Sequence, residues 1–330
     1  MTQVFIHPEV EDYFVERDFQ DAAKDPASCR DIITDYASEK LILLRNLKFE
    51  VDWNFLRSVS FYQKWKWKKL ALSTFESIPP DKRQEVPEIR EFVQDVFSGD
   101  WERFSYFIDQ AKIANNKIRL ALETIFINYK FVRQDIIWRF TETRVENLHF
   151  DVDRNCDDLE LIRLYVNLDD IPRMWYTAGT FTSTGTEWYE KLNLRRFQGQ
   201  SNDKLLKELS TRVYGDWYSR GRDTVPRHLV LFEPGDVWLA DGRTVSHQVM
   251  YGRRVVSALF IAQSSTVPDP TKTFNQKVAD LHEQNGEGKQ VVAAQNILMP
   301  QKRPARAPLD LTKSWEELPE HERKDKLVRL

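Results

Sequence analysis

Two histidines and one aspartate are the residues of this chain best suited to chemistry. His149-Phe150-Asp151 is answered far downstream by Ser246-His247-Gln248-Val249. Two imidazoles and one carboxylate can hold a divalent iron on one face and leave the opposite positions open for a co-substrate and oxygen. Alternate side chains of an extended strand share a face, so His149 and Asp151 can project together. His247 must then come from another strand of the same sheet or barrel. His-X-Asp alone is a weak signal, and a lone histidine at a strand end is more often a satisfied core residue. The other four histidines sharpen the choice. His7, His282 and His321 lie in polar segments read as peripheral, and His228 reads as capping the apolar run Leu229-Val230-Leu231-Phe232.

The elements that must position these ligands follow from apolar spacing. Residues 40–52 read as a strand and turn. Residues 87–128 read as helical: Pro87 opens a segment with Ile89, Phe92, Val93, Val96 and Phe97 at helical spacing, ended near Gly99. A longer helix follows from Trp101 toward Phe126. From about 135 the texture turns to strands, at 136–140, 148–151 and 159–168, with a short helix over 201–213. Further short strands at 229–232, 237–240, 245–250 and 254–262 are separated by Pro234-Gly235, Asp241-Gly242 and Gly252. This pattern predicts an α+β chain with a double-stranded β-helix (jelly-roll) core and flanking helices. One domain is expected over 1–264, with the barrel at about 135–264. A polar C-terminal extension is expected over 265–330, with a helix near 273–284 and an extended or partly disordered tail.

The strand after the histidine motif carries a second signal. Counting by two, Leu161, Arg163, Tyr165 and Asn167 share one face. An arginine in an apolar strand needs a partner, because burying an unpaired charge is costly. A bound dicarboxylate would supply one through a bidentate pair. The alternative is a rim position beside a nearby Asp or Glu. Arg253 and Arg254, at the turn into the last strand, are competing anchors. Pro172-Arg173-Met174-Trp175 follows a strand end and could place a cation and an indole at the mouth of a pocket; the alternative is a Trp covering the barrel edge.

Composition bounds the rest. The net charge of −3 on 330 residues, with 30% charged, shows no basic footprint, which argues against nucleic acid. Cys29 and Cys156 make neither a disulfide framework nor a zinc motif, so a reducing compartment fits. The N-terminus shows no secretory signal. No apolar run approaches the ~20 residues of a membrane span. A cytoplasmic location is expected. Gln63-Lys64-Trp65-Lys66-Trp67-Lys68-Lys69 interleaves lysines with tryptophans. That suits peripheral docking on an anionic leaflet or a grip on an acidic ligand; an amphipathic strand with its tryptophans inward is the plainer reading.

In order along the chain, Leu148-His149-Phe150-Asp151, Arg163-Leu164-Tyr165-Val166-Asn167, Pro172-Arg173-Met174-Trp175, Pro234-Gly235-Asp236-Val237-Trp238 and Ser246-His247-Gln248-Val249-Met250-Tyr251-Gly252 resemble the Fe(II)/2-oxoglutarate-dependent dioxygenases. The resemblance is strongest to the bacterial Kdo 3-hydroxylases, which act on the 3-deoxy-D-manno-oct-2-ulosonic acid sugar of lipopolysaccharide. It covers roughly residues 140–262. It implies Fe(II) on His149, Asp151 and His247, with 2-oxoglutarate and O2 as co-substrates and ascorbate in support. It also implies a far-carboxylate anchor on Arg163, with Tyr165 and Asn167 beside it. The basic turn after Gly252 departs from the family pattern and keeps Arg253 and Arg254 as alternatives. Arg173, Trp175, Lys66 and Lys68 become candidate contacts to Kdo-lipid A. Two other readings stay open: the same chemistry on an amino acid, peptide or small metabolite, or a carbohydrate-binding barrel without turnover.

Overall fold

Strand alternation decides which side of each sheet meets what. The structure, a computed structural model, describes residues 2–59, 70–72, 75, 78–140, 143–144, 147–153, 156–215 and 225–286. The Trp/Lys segment at 63–69, with Lys66 and Lys68, and the tail beyond 286 lie outside the described residues. The strands are β1 (Gln3–Phe5), β2 (Phe14–Asp18), β3 (Leu41–Arg45), β4 (Leu70–Ala71), β5 (Phe131–Arg139), β6 (Thr143–Arg144), β7 (Leu159–Asn167), β8 (Arg173–Thr177), β9 (His228–Phe232), β10 (Val237–Leu239), β11 (Gln248–Gly252) and β12 (Val255–Gln263). They form a seven-stranded sheet in the order β2-β3-β10-β7-β12-β5-β4 and a five-stranded sheet in the order β1-β9-β8-β11-β6.

Ile162, Leu164 and Val166 of β7, with Val256, Ala258, Phe260 and Ala262 of β12, pack against helices on the outer face of the larger sheet. The opposite parity faces the smaller sheet. There Tyr165, Trp238 and Val255 meet Trp175, Val230, Phe232 and Val249. The predicted parity of β7 therefore corresponds to a real division between two cores. Burying apolar side chains on both faces is worth roughly 25 cal/mol per Å² removed from water, which is what holds such a layered stack together.

The outer helices have legible local causes. Pro87–Phe97 ends where Ser98 and Gly99 both adopt left-handed backbone, with φ of 54° and 82°. Trp101–Ile125 then starts at Asp100, whose carboxylate accepts the Arg103 N–H. Its buried stripe, Phe104, Phe107, Ile108, Ala111, Ala114, Ile118, Ala121, Leu122 and Ile125, follows helical spacing. Asn115 pins this helix to the sheet by accepting the Trp138 indole N–H at 2.9 Å.

The structure adds elements that apolar spacing concealed. β2 and β3 pair in parallel, and the crossover this demands is the helix Pro26–Ala37, which buries only Cys29 and Ile32. The expected strand at 148–151 is reduced to one bridge, His149 with His247. The expected strand at 245–250 begins only at Gln248. The start of the expected extension is well integrated. In the helix Phe274–Gly286, Leu281 lies so near helix Phe181–Trp188 that a Cβ on Gly185 would come within 2.8 Å of it. His282, read as peripheral, is buried there with its Nδ1 2.8 Å from the Tyr189 hydroxyl. Among the described residues, no helix is long and apolar enough to cross a membrane.

Candidate metal centre

The bridge between His149 and His247 builds the centre. Each donates its backbone N–H to the other's carbonyl, at 3.0 and 2.9 Å. Their rings lie side by side, centroids 4.5 Å apart. Each ring also turns its Nδ1 to the carbonyl two residues before it: His149 to Asn147 at 2.6 Å, His247 to Val245 at 3.2 Å. A proton held on Nδ1 in this way leaves the Nε2 lone pair for a metal. The Asp151 N–H is tied to the Gly242 carbonyl at 2.7 Å. Its Oδ1 then lies 3.6 Å from Nε2 of His149 and 3.8 Å from Nε2 of His247. All three ligand atoms fall within 4.8 Å of one another. Two imidazole nitrogens and a carboxylate oxygen aimed at a common point fit a divalent iron of the two-histidine, one-carboxylate type.

Arg163 sits beside this group. Its Nη1 is 2.8 Å from Asp151 Oδ2 and its Nη2 is 2.5 Å from Asp153 Oδ2. Burial opposes ionisation of Asp151, but Arg163 and the two histidines outweigh it and hold its carboxyl well below the usual range. The partner expected in an incoming dicarboxylate is therefore supplied by Asp151 and Asp153. The competing arginines are also engaged. Arg253 forks onto the fully buried Asp169 and also pairs with Asp170, while Arg254 bonds the Val59 carbonyl at 3.2 Å and Asp169 at 3.1 Å. Asn167 is committed to structure as well, donating to the carbonyls of Ile171 and Phe232 and accepting the Asp169 N–H.

The inner wall is aromatic. Trp175 stacks on His247 with centroids 5.3 Å apart, and Tyr165 stacks on Trp238 at the same separation. Trp175 is thus an interior residue against a candidate ligand histidine rather than a cover at the edge. Arg173, expected at a pocket mouth, is buried over Gly252, where a Cβ would lie 2.9 Å from its Cγ. His228 is structural. Its Nδ1 accepts the His7 N–H and its Nε2 faces the Glu11 carbonyl, which ties the N-terminal segment to β9.

One cation escaped the sequence reading. Arg139 ends β5 opposite Val255, and its neighbour Trp138 points outward to Asn115. Parity therefore turns Arg139 toward the inner face, where its charge acts on the Tyr165 hydroxyl. Among the described residues its Nε is buried without a hydrogen-bond partner. The signal was available in the outward-inward alternation of Ile136-Ile137-Trp138-Arg139.

The sequence matches no family model and no curated protein. Solved structures do match, and they show a likeness of fold to a non-heme Fe(II) alphaketoglutarate-dependent dioxygenase. The chain is similar to the Kdo hydroxylase KdoO in complex with succinate and Fe(III), with a TM-score of 0.59 at 14% identity over 87% of this chain and 100% of that one. KdoO in complex with alphaketoglutarate and Fe(III) matches at 0.59 and 14%, over 84% and 99%. KdoO with cobalt(II) matches at 0.59 and 14%, over 87% and 100%.

Proposed function

We propose that the chain is an Fe(II)/2-oxoglutarate/O2-dependent hydroxylase acting on C3 of a lipid A-linked Kdo sugar. The observation that carries the reading is the convergence of His149, Asp151 and His247 within 4.8 Å. The likeness of fold to KdoO supports both the chemistry and the sugar. In this reading the two sheets are the halves of a double-stranded β-helix, and His149, Asp151 and His247 hold the iron.

When bound, the iron, 2-oxoglutarate and O2 would supply oxidative decarboxylation, in which one atom of O2 goes to succinate, carbon dioxide leaves, and the other oxygen atom goes to the sugar. The chain's own residues bind and orient. Arg139 is the candidate to receive the far carboxylate: among the described residues its inward Nε is buried without a hydrogen-bond partner, and although Nε of Arg163 and of Arg173 share that state, Arg163, like Arg253 and Arg254, is held by aspartates and Arg173 is packed over Gly252. Tyr165 and Trp175 wall the interior beside it, so the co-substrate would bind away from bulk water.

Mass spectrometry of Kdo-lipid A after incubation with protein, Fe(II) and 2-oxoglutarate tests the proposal. A gain of one oxygen on the sugar is expected. Succinate released without any change in Kdo-lipid A would move the activity to an amino acid, peptide or small metabolite. Absence of both would leave a non-catalytic barrel.

A further inference from the structure

Asp151 is held from two sides by groups that are not themselves ligands of the centre. Its Oδ1 faces both histidines, whereas Oδ2 is taken by Arg163. Behind the carboxylate lies Gly242, where a Cβ would come 2.7 Å from Asp151 Cγ and 3.1 Å from His247 Cε1. Gly242 does not adopt the left-handed backbone that favours glycine, so the carboxylate itself is what bars a side chain there. The turn carrying Gly242 is itself clamped. Arg243, fully buried, donates from Nε and Nη2 to Asp241 and from Nη1 to the Leu159 carbonyl at 2.9 Å. Its guanidinium lies 4.5 Å from the Phe274 ring centroid.

We infer that Arg163, Asp153 and Gly242 are positioning residues that make Asp151 a one-oxygen ligand and set the affinity of the centre for a divalent cation. This rests on the metal reading above. Arg163 draws Oδ2 away from the coordination sphere by a close ion pair, which fixes the direction of Oδ1. Alone, its positive charge would cancel that of Asp151 and repel a cation. Asp153 restores the balance: two carboxylates against one guanidinium leave one negative charge facing the metal. Gly242 leaves the carboxylate room to take this pose while bonding its backbone N–H.

Cobalt(II) titration of the full chain, followed by its visible absorption and paired with thermal melting, tests the assignment. Arg163→Gln is expected to weaken cobalt binding about 10- to 100-fold, because losing the fixed direction of Oδ1 outweighs the removal of one positive charge. It also weakens the absorption bands, because a freed Oδ2 chelates and raises the coordination number. Arg163→Lys restores part of the affinity. Asp153→Asn loses affinity although it reaches no metal, and Gly242→Ala loses most, with a melting temperature near that of the wild type. Should Arg163→Gln fail to fold, Asp153→Asn and Gly242→Ala carry the test. Folded variants with wild-type cobalt affinity and spectrum overturn the positioning roles while leaving the metal site intact. A wild-type chain that takes up no cobalt overturns both.

Discussion

His149 and His247 are each other's β-bridge partners, exchanging two backbone hydrogen bonds although they lie far apart in the chain. A bridge of this kind sets both side chains on the same side of the ladder. The two imidazoles are therefore registered by the backbone itself, and only the carboxylate needs separate placement.

Replacing His149, Asp151 or His247 by alanine is expected to abolish both turnover and cobalt uptake while the chain stays folded. Circular dichroism and metal titration on the same samples check this. Turnover surviving in the His247→Ala protein would remove the proposed centre.

Arg139→Ala is expected to raise the 2-oxoglutarate requirement about 10- to 100-fold, the loss of one charged hydrogen bond of roughly 1.5–3 kcal/mol. Cobalt affinity stays unchanged. Succinate release measured against 2-oxoglutarate concentration reads it, and an unchanged requirement would return the anchor to Arg163, Arg253 or Arg254.

Asn115→Ala strands the Trp138 indole N–H, which is fully buried against the long helix. The cost is the desolvation of one unsatisfied donor, about 1–3 kcal/mol. Urea unfolding should show it as a lower midpoint at constant slope, and an unshifted midpoint would contradict the pinning role.

Burial lowers the pKa of both His228 and His282 from the ordinary 6.5. The unfolded chain then takes up protons before the folded one, so these histidines favour folding fully above about pH 6.5 and progressively less below it. For His228 burial is the largest cause, and its Nδ1 also accepts the His7 N–H, which leaves no room there for a proton. Unfolding midpoints measured from about pH 7.5 to 5.5 should fall with acid, more steeply in the wild type than in His228→Gln. Equal slopes would count against the latch.

How much of this was legible in the sequence differs by residue. The grouping of His149, Asp151 and His247 was, because strand parity and the count of histidines point to them. So was the helix break at Gly99, since left-handed backbone favours glycine. Arg163 was legible as an arginine in need of a partner, but not which partner. Asp153 stands at the same parity as His149 and Asp151 and was visible in His149-Phe150-Asp151-Val152-Asp153, yet choosing it requires the distance between two strands. His282 was missed because one buried face of a polar helix leaves little trace in composition. The β2–β3 pairing was missed because a parallel crossover is set by tertiary contact.

Trp175 lies against His247 with ring centroids 5.3 Å apart and an angle of 23° between planes, and is almost wholly shielded from solvent. An indole in that position is a built-in optical probe. A paramagnetic ion on His247 would quench its emission, so occupancy of the centre can be followed in the unlabelled protein, and Trp175→Phe identifies which part of the signal is its own.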